Sequence, residues 1–223
     1  VDILPNRWEE TTNAYFLSIP LDERKKVKYL ICDMYNPYIN YTKRYFPNSI
    51  AVIDSFHIIA WILTKINNYI NDIKKKFQAR DRKIYEESCK KNNRPIDFKN
   101  LPTSKEVYLL NSFKWLLLQN VENIDYQDRP RYNHKLKAYL NTYDYEKMFF
   151  QLDKNLMNIR RLKEKYIEFN KTKEKDLSKV AVLLNNLIIL YSHSSLAMFR
   201  EFSDLLKKHK QEIINSFIYI TDN

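Results

Sequence analysis

Asp33, Asp54 and His57 are the residues whose type and spacing could do chemistry. Each aspartate ends a short apolar run, Tyr29-Leu30-Ile31-Cys32 before Asp33 and Ile50-Ala51-Val52-Ile53 before Asp54. A carboxylate is a hard oxygen ligand suited to Mg²⁺ or Mn²⁺, and in open α/β sheets ligands gather where strands end. Asp33 is the sharpest candidate for a metal ligand. The competing reading is that it caps the next helix, but Asn36 before Pro37 offers a separate N-cap. Asp54-x-x-His57 either does chemistry or is purely structural. Asp54 or Ser55 is a good N-cap for the following helix, and His57 can satisfy hydrogen bonds in its first turn.

A second group is basic. Tyr126, Arg129, Arg131, Tyr132, His134, Lys135 and Lys137 mix cations and aromatic rings over what reads as a loop, a mix able to hold phosphates and stack on unpaired bases. An ordinary exposed loop is the alternative. The helix after His57 carries Lys65, Asn68, Lys74, Lys75, Lys76, Arg80, Arg82 and Lys83 away from its apolar stripe, either as a solvated face or as a track for DNA. His134, His193 and His209 read as structural or exposed. Glu86, Glu87, Glu201 and Glu212 read as solvated helix faces.

The elements that must position these groups follow from periodicity. Short β-branched and aromatic runs bounded by turn formers predict two buried parallel strands. Residues 37–46 between them have helical spacing, ended by Pro47-Asn48. Upstream, residues 1–4 read as the end of a strand, 8–19 as a helix with Trp8, Tyr15 and Ile19 on one face, and 22–26 as a charged turn. The order is an α/β pattern. After His57 the period changes. Ile58, Ile62, Ile66, Tyr69 or Ile70, Ile73 and Phe77 recur every three or four residues, predicting an amphipathic helix to about Lys83. Helical spacing continues over 105–118, 135–169, 177–191 and 196–217, with a polar loop at 120–133. Residues 58–218 therefore read as all-helical.

Composition narrows the function. The chain of 223 residues has 44% hydrophobic residues, enough for a core, and a formal net charge of +11. Such a balance suits a polyanionic partner such as nucleic acid, although the abundance of Asn, Lys, Ile and Tyr also fits AT-rich codon bias. There is no glycine, where about 7% is usual. Glycine-rich phosphate loops, dinucleotide fingerprints and glycine-flanked nucleophile elbows are excluded, which removes nucleotide-cofactor and serine-hydrolase classes. Of the two cysteines, Cys32 lies in an apparent strand, and no Cys-x-x-Cys spacing suggests zinc. With no secretory signal and no long apolar span, a cytoplasmic protein without membrane contact is expected. The start at Val1 and the close on 218–223 suggest a fragment of a longer protein.

These residues carry a family resemblance. Val1-Asp2-Ile3-Leu4-Pro5-Asn6-Arg7, Asp33-Met34-Tyr35-Asn36-Pro37-Tyr38, and Phe46-Pro47-Asn48-Ser49-Ile50-Ala51-Val52-Ile53-Asp54-Ser55-Phe56-His57 resemble the DDE transposases of bacterial insertion sequences, ISL-three type. Phe113-Lys114-Trp115-Leu116-Leu117-Leu118 and Phe199-Arg200-Glu201-Phe202 extend the match. The resemblance implies a partial ribonuclease-H-like core over 1–57, an all-helical insertion over 58–218, and a stub at 219–223 returning to the core. It also implies DNA cutting and joining at transposon ends, where three carboxylates hold divalent metals that activate the nucleophile and stabilise the leaving oxygen. Asp33 would match the second carboxylate, and Asp54 with His57 an accessory D-x-x-H element. The first aspartate would precede Val1 and the glutamate would follow Asn223. Asp2 is on the wrong strand for the first, and Glu201 and Glu212 sit inside the insertion. Mg²⁺ or Mn²⁺, DNA and a homo-oligomer are the implied partners, and this piece alone is expected not to cut. The rivals are a non-catalytic basic helical DNA-binding or assembly module, and a helical protein-interaction scaffold.

Overall fold

The two apolar runs form strands β1 (Tyr29–Cys32) and β2 (Ile50–Ile53). They pair in parallel, Tyr29 opposite Ile50 and Cys32 opposite Ile53. This comes from a computed structural model that describes residues 3–222, apart from the side chains of Asn100 and 219–222. The described chain is mostly helical with a few short strands. It divides into two compact units, Val1–Ala60 with Phe169–Asn223, and Trp61–Glu168.

In the first unit, α3 (Asn36–Tyr45) connects the strands. Parallel strands require such a crossover because a tight turn cannot reverse the chain twice. Its ring Tyr45 is 1% exposed and meets Phe16 of α1 (Glu9–Ser18) at 5.1 Å between centroids. Ile50 N–H donates to Lys28 O and Asp54 N–H to Cys32 O, at 3.0 and 3.1 Å. Alternate residues of β2 therefore face away from β1, and the carbonyl of Ala51 lies on that far edge. Asn215 of α11 (Lys210–Asp222) covers it, Nδ2 donating to Ala51 O at 2.8 Å. A strand edge left open would template unwanted pairing; α11 closes this one. Helices α9 (Leu177–Ser192) and α10 (Ala197–Lys208) complete the unit, with Tyr191, Phe199 and Phe202 fully buried.

Several local expectations change here. Trp8 is 71% exposed and precedes α1, and the ring that α1 packs inward is Phe16, against Tyr41, Tyr45 and Phe46. Residues 22–26 are not a turn but lie in α2 (Leu21–Lys26), where Asp22–Lys25 and Glu23–Lys26 pair at helical spacing. Ile3 and Leu4 are not in a strand; Val1 and Asp2 lie outside the described residues. The span 196–217 is two helices, because the chain leaves helical geometry at His209 (φ −110°, ψ 23°) with no proline or glycine to signal it. Residues 219–222 are the helical end of α11; Asn223 lies outside the described residues.

Helix α4 (Ser55–Lys91) runs well past Lys83. Its stripe Ile58, Ile62, Ile66, Ile70 and Ile73 is at most 4% exposed. In the second unit, α5 (Lys105–Ser112) starts at Ser104, whose Oγ accepts from Val107 N–H. The expected helix to 118 is broken at Phe113-Lys114 and resumes as α6 (Trp115–Leu118). The helical region is also not all-helical. A hairpin, β3 (Arg131–Asn133) with β4 (Ala138–Leu140), interrupts it. Its four-residue turn needs one left-handed residue, and Lys137 takes that role at φ 54°. Without the glycine that usually marks such a position, the turn is invisible in the sequence. After the hairpin come α7 (Thr142–Phe150), opened by an Asn141/Asp144 capping box, and α8 (Leu156–Asn170). Asp153 splits these two by accepting from Asn155 N–H and from the Tyr69 hydroxyl, each at 2.9 Å.

Candidate functional site

The register of β1 and β2, continued by one residue, sets Asp33 beside Asp54 at the same end of two adjacent parallel strands, a spacing of about 4.8 Å between neighbouring strands. Each carboxylate folds back on its own chain. Asp33 Oδ1 accepts from Tyr35 N–H and Asp54 Oδ1 from Phe56 N–H, both at 2.9 Å. The two aspartates thus make the same Asx turn, which leads the chain from strand to helix. Asn36 is not the cap of α3; it is already helical, and the residue before it makes no side-chain cap. Asp33 fixes the turn that precedes α3, and the helix itself carries no side-chain cap.

Each turn engages one carboxylate oxygen and leaves the other available. Asp33 and His57 line one open cleft of about 740 Å³ together with Asn6, Arg7, Cys32 and Tyr41. Asp54 lines a second, smaller cavity with Ser55, Asn170 and Ser216. The structure therefore brings Asp33 and Asp54 to one end of the paired strands, and Asp33 and His57 to one cleft, while Asp54 looks into a different recess. Cys32, one residue before Asp33, reports on the electrostatics. Burial pushes its thiol up from 9.0 to about 11, helped by the negative charges of Asp33 and Glu212. Glu212 on α11, which reads from sequence as a solvated helix face, contributes to the field at this rim. Only the packing of α11 over β2 reveals that.

A family model described as "Transposase", that of the DDE transposases of the ISL-three type, matches residues 1–223, the whole chain. The chain belongs to this transposase family. No curated protein and no solved structure matches it. Transposases of this family act on DNA and generally use divalent metal ions. The described residues do not form a complete site for such an ion. No group of three or more His, Cys, Asp or Glu among them is placed to hold a metal, and the cleft offers one carboxylate, already accepting one N–H, and one imidazole. No helix among the described residues is long and apolar enough to cross a membrane.

The basic residues that a transposase could set against DNA fall in the second unit. On α4, Lys74 donates to Asn111, Lys75 pairs with Asp72, and Arg80 is fully occupied by Asp81 and Glu106 while lying over the Phe77 ring. Arg82 lies over Phe98. Lys76 and Lys83 are exposed. Of these six cations, Lys75 and Arg80 are thus paired with carboxylates. Arg129, Arg131 and Lys135 are exposed on and beside the β3–β4 hairpin, so the expected loop is an ordered presentation of these cations. Tyr139, which sequence periodicity assigned to a helix, stands 72% exposed on the same hairpin. The signal that could have found it is the pairing of two short alternating triplets, Arg-Tyr-Asn and Ala-Tyr-Leu.

Proposed function

We propose that this chain is part of a DDE transposase that cuts and joins DNA at insertion-sequence ends, with β1 and β2 belonging to a ribonuclease-H-like core. The in-register emergence of Asp33 and Asp54 from adjacent parallel strands, in a chain matched end to end by the transposase family, carries the reading. Asp33 is assigned as one carboxylate of an Mg²⁺ or Mn²⁺ site, and Asp54 and His57 as accessory residues. One free carboxylate oxygen on Asp33 suits the first role, and the shared cleft suits His57 to act beside it. Among the described residues no three possible ligands are placed together to hold a metal, and residues 1–223 alone are proposed not to cut. Residues 58–218 are proposed as the family's insertion, available for contacts with DNA or with a second copy, and the protein's place is the cytoplasm, where a bacterial chromosome lies.

Two measurements test this. A labelled transposon-end duplex incubated with residues 1–223 and Mg²⁺ or Mn²⁺ should show no nicking. Turnover that disappears on Asp33→Ala would overturn the inactivity of this piece. In cells, excision of a marked element by the coding frame that holds this chain should stop on Asp33→Asn, and undiminished excision would refute the role of Asp33. The exposed cations of the hairpin favour a second reading, a basic module that binds DNA without catalysis. A binder using 6–10 phosphate contacts loses about 10³–10⁵ in affinity between 50 and 200 mM salt and needs no metal.

A further inference from the structure

We infer that the β3–β4 hairpin is a reader of unpaired bases in DNA, with Tyr132 and Tyr139 as the stacking platform and Arg129, Arg131 and Lys135 as the phosphate contacts. This rests on the proposal that DNA is the partner and goes further by naming the DNA state recognised. Tyr132 and Tyr139 face each other across the two strands. Their rings stand 5.1 Å apart between centroids, and the His134 ring meets Tyr132 edge-on at 5.0 Å. The pair is nevertheless 45% and 72% exposed. Strand alternation explains the exposure. Asn133, on the opposite face, donates from Nδ2 to the hydroxyls of Tyr108 and Tyr145, each at 3.0 Å. Its Oδ1 accepts from Leu136 N–H, and Leu136 is 6% exposed. One face of the hairpin is therefore pinned to its unit, and the other holds two aromatic rings out to solvent.

The charge around the rings gives the ligand its sign. From Arg129 to Leu140 there are four cations, Arg129, Arg131, Lys135 and Lys137, and no acid; Asp125 and Asp128 precede the segment. An apolar partner would not need the cations, and an acidic protein helix would offer no flat π surface for the rings. Nucleic acid with exposed bases offers both a phosphate chain and base faces. Duplex DNA stacks its bases internally, so it can use the cations but not the tyrosines. DNA is chosen over RNA because the family acts on DNA.

The test uses residues 1–223 and fluorescence anisotropy with labelled oligothymidine, a duplex of equal length, and oligouridine. Tyr132→Thr/Tyr139→Thr removes the rings but keeps β-forming residues, and circular dichroism with thermal melting checks that the hairpin unit remains folded. The expected result is tighter binding of oligothymidine than of duplex, and a loss of about 5-fold or more for the single strand in the threonine variant, the order of one stacked base. Duplex affinity should not change. In Arg129→Gln/Arg131→Gln/Lys135→Gln the salt slope should fall by about 2 to 3 for both DNA forms. Single-strand binding that is indifferent to the loss of both rings overturns the hairpin assignment while leaving DNA as the partner. Tighter binding of oligouridine overturns the choice of DNA. No binding to any DNA at low salt overturns both the hairpin assignment and the DNA reading on which it rests.

Discussion

In the unit containing β1 and β2, the groups of interest are placed by main-chain geometry, whereas in the Trp61–Glu168 unit polar side chains are held by one another. Asp33 and Asp54 reach the same end of the sheet because two parallel strands keep register, and each is fixed by a backbone N–H two residues on. In the other unit, Arg160 bonds Glu146 and the Tyr126 hydroxyl, which itself donates to Glu146 at 2.7 Å, and the guanidinium lies over Phe150. Lys163, 1% exposed, donates to the carbonyls of Leu117 and Gln119 at the end of α6 and pairs with Glu164 at 2.8 Å. Main-chain placement tolerates side-chain change and sets position finely. A buried ionic network ties stability to each member, because removing one leaves the others desolvated and unpaired.

That contrast breaks most visibly at Lys163. Burial lowers the pKa of its ammonium while Glu164 opposes the shift, so the charge is held at a cost met only by its three partners. Lys163→Ala should destabilise the protein by about 2–4 kcal/mol, because the Leu117 and Gln119 carbonyls both lose their donor while Glu164 keeps the Val121 N–H, read as a shift of the urea midpoint. A loss below about 1 kcal/mol would mean that water replaces the amine and the network is not rigid. Next in size is Asn215→Ala in the strand-bearing unit. It leaves the Ala51 carbonyl buried without a donor and should cost about 1–3 kcal/mol. Hydrogen exchange should quicken in β2 ahead of α9 and α10. Uniform exchange would show that α11 is not what seals the sheet edge.

How much of this could be read from the residues differs by unit for the same reason. The strands, their parallel pairing and the two aspartates at their ends were legible, because apolar runs cut off by aspartate leave a strong local pattern. The long isoleucine stripe of α4 was equally plain. Asn36-Pro37 has the composition of a cap, yet α3 begins at Asn36 with no side-chain cap, and the turn before it is held by Asp33. The hairpin was hidden by brevity, with strands of three residues and a lysine where glycine normally marks the turn. The breaks at Phe113, Asp153 and His209 left no proline or glycine either; Asp153 is held by Tyr69, a residue 84 positions away. Contacts so distant in sequence carry no periodic signal.

The rim can be sharpened by pH. With its thiol raised to about 11 in the folded chain against an ordinary 9.0, Cys32 keeps its proton on folding between those values. Its contribution to stability is therefore complete below about pH 9 and lost as pH rises through about 11. In a Cys89→Ala background, iodoacetamide alkylation should accelerate with a midpoint near 11. Asp33→Asn should draw that midpoint downward by removing one of the charges that raises it. A midpoint near 9 in the parent would mean that the strand end is more open to water than its packing indicates.

The smallest expected effect is the most discriminating. If Asp33 served only its Asx turn, an asparagine would serve nearly as well, because its side-chain oxygen accepts from the same Tyr35 N–H. Asp33→Asn should then change unfolding free energy by no more than about 0.5 kcal/mol, while Asp33→Ala should cost about 1 kcal/mol by losing the acceptor. Asp54→Asn and Asp54→Ala should repeat the pattern. A charge required for phosphoryl chemistry has the opposite tolerance, since asparagine keeps the turn and removes the anion. Element excision that survives Asp33→Asn but fails on Asp33→Ala would make the residue a turn former. Excision that fails in both, with the asparagine variant melting like the parent, separates the anion from the fold and assigns it to the reaction.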